Sequence, residues 1–187
     1  MRFVVTGEWS RNRLLQVIVV LYVAYVGGLW VTNALLYFSK MTLAPSSVVA
    51  YYLGDEATYQ PAKTYQGLLE VTHFHLFAMG MLLMVLTHLM LFVPIRSSVK
   101  AWLIALPFVA AAMDEGGSWL VRFGSPHFAV VKVAGFALLQ TSLAALIGAS
   151  LWSVFTRSQA ENYTGFVDDE DDEDEDEDDD PRGGAAS

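Results

Sequence analysis

Four stretches of the chain stay apolar for about 20 residues or more, the length a helix needs to cross a bilayer core. They run from about Leu14 to Phe38, Leu69 to Val93, Ala101 to Phe123, and His127 to Phe155. None alternates polar and apolar residues with the two-residue period of a membrane β-strand, so the pattern predicts helices. The second span should stop at Pro94, whose missing N–H and ring discourage continuation. Pro107 should kink the third. Ser125 reads as an N-cap for the fourth, with Pro126 in its first turn. Between the first two spans lies a loop, 39–68, in which Pro45-Ser46-Ser47 followed by Val48 to Leu53 predicts a short surface helix. Tyr51 and Tyr52 suit an interface there, and Gly54-Asp55-Glu56 should end the helix.

The pattern therefore predicts an all-α integral membrane four-helix bundle over residues 14–156, preceded by a short segment, 1–13. The apolar run after Arg11 and Arg13 is about 25 residues, longer than a signal-peptide core, and is read as a retained first helix. Arg2, Arg11, Arg13, Arg96, Lys100 and Arg157 flank one end of the spans, against Lys40, Lys63 and Arg122 at the other. This asymmetry predicts both termini in the cytoplasm and the loop 39–68 outside, an N-in/C-in arrangement.

Composition changes the picture in one place. The formal charge of −9 comes from a tail in which thirteen consecutive residues, Asp168 to Asp180, are all acidic. The remaining acids are outnumbered by the 11 Lys and Arg. Residues 157–187 are expected to be a disordered acidic cytoplasmic tail that repels itself, fits a basic partner or cations, and offers nothing to nucleic acid. With no cysteine, the chain has no thiolate metal site, iron–sulfur cluster or covalent haem attachment of its own.

Ionisable residues inside spans usually face a bundle interior, a cavity or a partner. Span two holds Glu70, His73, His75 and His88; span three holds Asp114 and Glu115; span four has His127 at its start and Lys132 further in. At about 100° per residue, Glu70, His73, Phe77, Met84 and His88 share one face of span two. His75, Met79, Leu82 and Leu86 share a roughly opposite one. His88 lies about 22 Å along the axis from His73, towards the cytoplasmic side. The other ionisable groups all belong to the outer half of the bundle, because spans two and four enter from outside and span three returns.

Three functional readings fit that convergence. A b-type haem between spans two and four would take His73 or His75 with His127 as axial ligands. His88, 13 residues from His75 and 15 from His73, is then left for a second site or a methionine partner. Alternatively His73, His75, His127 and Glu70 hold zinc, iron or copper. A proton or quinone path through Asp114 and Glu115 with either histidine is the third, with Phe74, Phe77, Trp119 and Phe128 as pocket aromatics. The plain alternative is a structural subunit in which Asp114 or Glu115 pairs with Lys132 or Arg122, the methionines pack, and Gly27-Gly28 and Gly116-Gly117 let helices approach.

The run Tyr51-Tyr52-Leu53-Gly54-Asp55-Glu56, then Leu68 to Phe77 with its His73-Phe74-His75 core, then His88 and Asp114-Glu115-Gly116-Gly117-Ser118-Trp119, resembles a family of small four-helix bacterial inner-membrane proteins. The resemblance covers roughly Val17 to Trp152. It implies membrane parts found beside or fused to c-type cytochromes, hence a cytochrome-b-like subunit of a respiratory electron-transfer system. The expected role is one of relaying electrons between a periplasmic c-type cytochrome and quinone or a larger complex, rather than acting as an enzyme on its own. Asp114 and Glu115 would then handle coupled protons. A non-catalytic scaffold for other membrane subunits and a non-haem metal protein are the competing classes.

Overall fold

The computed structural model describes residues 13–91, 93 and 95–171, excepting the side chains of 13, 15 and 154–171. The segment before Arg13, the expected stop at Pro94 and the acidic run past Asp171 lie outside the described residues. Four long helices, α1 (Arg13–Lys40), α3 (Tyr65–Met90), α4 (Ser97–Trp119) and α5 (Ala129–Asp171), carry the four stretches long and apolar enough to cross a membrane. A short α2 (Pro45–Leu53) stands in the first loop. The chain is an all-α, multi-pass membrane protein, and no strand occurs among the described residues.

Local chemistry sets the helix ends. α3 starts at Tyr65, four residues before the expected point, because Thr64 Oγ1 accepts from Gly67 N at 3.1 Å and caps the helix there. At its other end Lys100 Nζ donates to Leu91 O at 2.9 Å, a cation at the negative end of a helix dipole. Ser125 caps the fourth span as expected, accepting from His127 N at 3.4 Å. α4 passes into a π turn, Leu120–Gly124, where Ser125 N donates to Leu120 O. α5 continues unbroken to Asp171, so residues 157–171, expected to belong to the tail, are helical. The stretch from Arg157 to Asn162 has no proline or glycine to stop it.

Cross-helix contacts establish an up-down-up-down order. Trp30 Nε1 donates to Gln140 O at 3.0 Å, and the Tyr37 ring stacks on Phe136, so α1 and α5 run antiparallel. Gly117 meets Lys132 while Gly135 meets Asp114, which makes α4 and α5 antiparallel as well. Thr72 and His75 reach Glu115 and Trp119, and fix α3 against α4 the same way. Buried apolar residues gather in two clusters. One, with Leu83, Leu86, Met90, Ala110, Leu139, Leu143 and Leu146, fills the tail half of the bundle. The other, with Tyr37, Met41, Val48, Tyr52, Leu68, Val121 and Phe136, closes the loop end. Thr87, Ser142 and Ser150 sit buried by bonding carbonyls three or four residues back.

The loop helix differs from the surface helix expected of it. Val48 and Tyr52, four residues apart, share one face of α2 and are buried, so α2 caps the bundle rather than floating on an interface. Tyr52 is pinned twice: its hydroxyl shares a 2.9 Å bond with Ser118 Oγ, and its carbonyl accepts from Lys63 N. Burial holds its phenol above the ordinary tyrosine pKa. Gly54 ends α2 with φ +92°, and a Cβ there would lie 2.8 Å from Gln60 O, so the position calls for glycine on both counts.

Candidate functional site

Between the two apolar clusters lies a polar layer, and two close backbone approaches create it. A Cβ on Gly117 would lie 2.8 Å from Lys132 Cα, and one on Gly135 would lie 2.6 Å from Asp114 N. Small residues let α4 and α5 meet backbone to backbone there, the way membrane helices pack most tightly. This contact sets Asp114 beside Lys132, with Nζ to Oδ1 at 2.7 Å, the lysine buried and the aspartate mostly so. Of the pairings open to Asp114 and Glu115, Asp114 takes Lys132, while Arg122 instead donates from Nε to Lys63 O at 2.6 Å.

Glu115 turns towards α3 and is held by two residues there. His75 Nδ1 pairs with Glu115 Oε1, and Thr72 Oγ1 donates to Oε2 at 3.3 Å. Trp119 Nε1 in turn donates to Thr72 Oγ1 at 2.9 Å, and orients the threonine. An ionised Glu115 oxygen is an acceptor, so the bond puts a proton on His75 Nδ1 and leaves Nε2 without a partner among the described residues. The histidine is 43% exposed against 14% for the glutamate, so it is the member that meets whatever occupies the neighbouring space.

That space is a cleft of about 370 Å³ between α1 and α3. Tyr22, Trp30, Met79 and Leu82 give it apolar walls, and His75, Asp114 and Glu115 form its polar end. Tyr22 donates to Leu82 O at 3.1 Å at the far end of the cleft, where α1 and α3 come together. The dimensions and the mix of apolar wall with a few convergent polar groups are those of a small-molecule site.

The remaining candidates lie elsewhere. Glu70, His73 and His88 are exposed on the outward face of α3, as the opposed-face geometry required, and His127 is exposed at the start of the fourth span. Glu70 accepts from Gln66 Nε2, and His88 Nδ1 bonds Met84 O, both within the same helix. The cleft has no second histidine on its wall beside His75. Among the described residues no group of three or more His, Asp or Glu is gathered as a metal site. Expected members His73, His127 and Glu70 are thus not brought to His75, because a regular α3 turns positions 73 and 75 to different sides.

Some of the layer had no counterpart in the sequence reading. Thr72 and Ser118 escaped it because they are uncharged, and so did Asn33 of α1, which lines the cleft; Trp119, expected as a pocket aromatic, acts through its indole N–H. An amide inside an otherwise apolar span is a polar signal of the same kind as a buried acid.

A family model described as a transmembrane helical domain matches residues 42–161, which takes in α2 to α4 and most of α5 but not α1. No curated protein and no solved structure matches the chain.

Proposed function

We propose that this chain, which belongs to the Aq_1264_TM family of transmembrane helical domains, is a membrane subunit of a respiratory electron-transfer system that takes a quinone from the lipid phase into its α1–α3 cleft. One observation carries the reading: an apolar cleft between membrane helices ends on a histidine whose second ring nitrogen is free because Glu115 holds the first. A quinol needs a proton acceptor at its hydroxyl and an apolar wall for its ring. Here His75 Nε2 is the acceptor, and Trp30 and Met79 are on the wall. Oxidation of a bound quinol releases two electrons and two protons. The electrons go singly to two equivalents of a one-electron carrier of the c-type cytochrome class, and the protons leave in turn through His75, which passes the first to water before it takes the second. Glu115 stabilises the imidazolium that forms, a division of labour in which a carboxylate orients and supports a histidine base.

The test is binding of a short-chain quinone to the purified protein in phosphate-free detergent, read by quenching of tryptophan fluorescence. Saturable quenching is expected, weakened about ten-fold in the His75→Ala and Glu115→Gln variants. Quenching that never saturates, or is the same in both variants, overturns the reading.

A second reading, one b-type haem, is favoured by the exposure of His73, His88 and His127, since imidazoles facing lipid are costly unless something covers them. The second axial ligand would then come from another chain. A reduced-minus-oxidised visible spectrum, taken on protein made with haem available, should show a b-type band. A flat spectrum together with absent quinone binding leaves a scaffold subunit.

A further inference from the structure

The loop end of the same seam holds a second cavity, of about 120 Å³, whose wall is cationic. Lys40, Lys63 and Lys132 all line it, and the one carboxylate on the wall, Asp114, is already paired with Lys132. Lys40 and Lys63 make no ion pair among the described residues. Lys63 is held in place: its ammonium stands 4.1 Å over the Tyr51 ring, and its carbonyl accepts from Arg122, itself without a carboxylate partner. The first turn of α3, through Gly67 and Leu68, brings the positive end of a long helix dipole to the same wall. Two lysines without a carboxylate partner on the wall of a partly enclosed chamber gain from an anion held there.

The chamber has an apolar side as well. Leu36, Leu68 and Val71 lie on it, with Leu36 and Val71 exposed where lipid would be. It shares Asn33, His75 and Asp114 with the cleft below, so the α1–α3 seam runs from a charged pocket into an apolar groove. Lysines at the edge of a membrane span bind phosphate oxygens as point charges. We propose that this chamber binds a phosphate group, supplied by an anionic phospholipid head or by free phosphate, through Lys40 and Lys63. The site stands whether or not the cleft takes a quinone.

The full chain, purified in phosphate-free neutral detergent, is melted with inorganic phosphate against chloride at equal ionic strength, and with phosphatidylglycerol against diacylglycerol of the same chains. A rise in Tm with phosphatidylglycerol alone identifies a lipid head, and a rise with both identifies phosphate in general. The Lys40→Gln/Lys63→Gln variant should lose the rise, with binding about ten-fold weaker or worse, and Arg96→Gln at the opposite end should keep it. Lys40→Gln alone, at an exposed position, repeats the test should the double variant fold poorly. No rise with either phosphate source, or an equal rise in the lysine variants, overturns the proposal. Quinone quenching should be unchanged in the lysine variants, so the two sites fail separately.

Discussion

The α4–α5 seam and the α1–α3 seam are built from the same apolar helices, yet one is shut and the other open. At the first, Gly117 and Gly135 bring backbones so close that a methyl group would clash with main-chain atoms, and Asp114 pairs with Lys132 across the contact. At the second, Tyr22, Trp30, Met79 and Leu82 leave a cleft, with His75 at its polar end. Glycines determine where helices touch, and large aromatic side chains determine where they cannot. Both carboxylates border the cavities, but Asp114 is bound to a lysine across the tight contact while Glu115 is bound to a half-exposed histidine at the open one.

The largest expected effect comes from breaking the Asp114–Lys132 pair. Lys132→Met should cost about 3–5 kcal/mol, because Asp114 is left charged and buried without a partner. Adding Asp114→Leu should recover most of that loss, as an apolar pair replaces the ionic one. Unfolding in mixed detergent measures both, and a double variant as unstable as the single would contradict the assignment. Next is the glycine contact itself: Gly135→Ala should cost about 1–3 kcal/mol through overpacking against the Asp114 backbone. Gly80→Ala, whose added methyl meets nothing within 4 Å, should be neutral or gain up to about 1 kcal/mol of helix propensity. Equal losses at the two glycines would show that helix approach at Gly135 is not what matters.

The smallest effect on stability is expected at the open seam. Ala78 is exposed on the cleft wall, and Ala78→Phe should change stability by no more than about 0.5 kcal/mol. The same substitution should abolish quinone quenching by filling the space. Strong destabilisation would mean that the cleft is closed in solution, and undiminished quenching would move the quinone elsewhere.

Much of this was legible in the chain. The spans followed from apolar length, and the gathering of charge in the loop-end half followed from counting turns from each span end. The pairing of a carboxylate of span three with span-two histidine was within reach of that count. Which histidine it would be was not, since spacing separates His73 from His75 without saying which side α4 occupies. The role of α2 was also hidden: Tyr51 and Tyr52 are equivalent as interface residues until Ser118 and Val48 single out the second for burial. The cleft was less visible still, because its walls belong to helices far apart in sequence.

By itself, then, the sequence determined a four-span helical membrane protein with one polar layer, since backbone hydrogen bonding in lipid leaves apolar segments of that length no other form. The tertiary structure alone decided that Asp114 pairs with Lys132 while Glu115 supports His75, and that α1 stands off α3 to leave a cleft. Those outcomes depend on helix rotation and approach. These are set by side-chain volumes on facing helices, which no single segment contains.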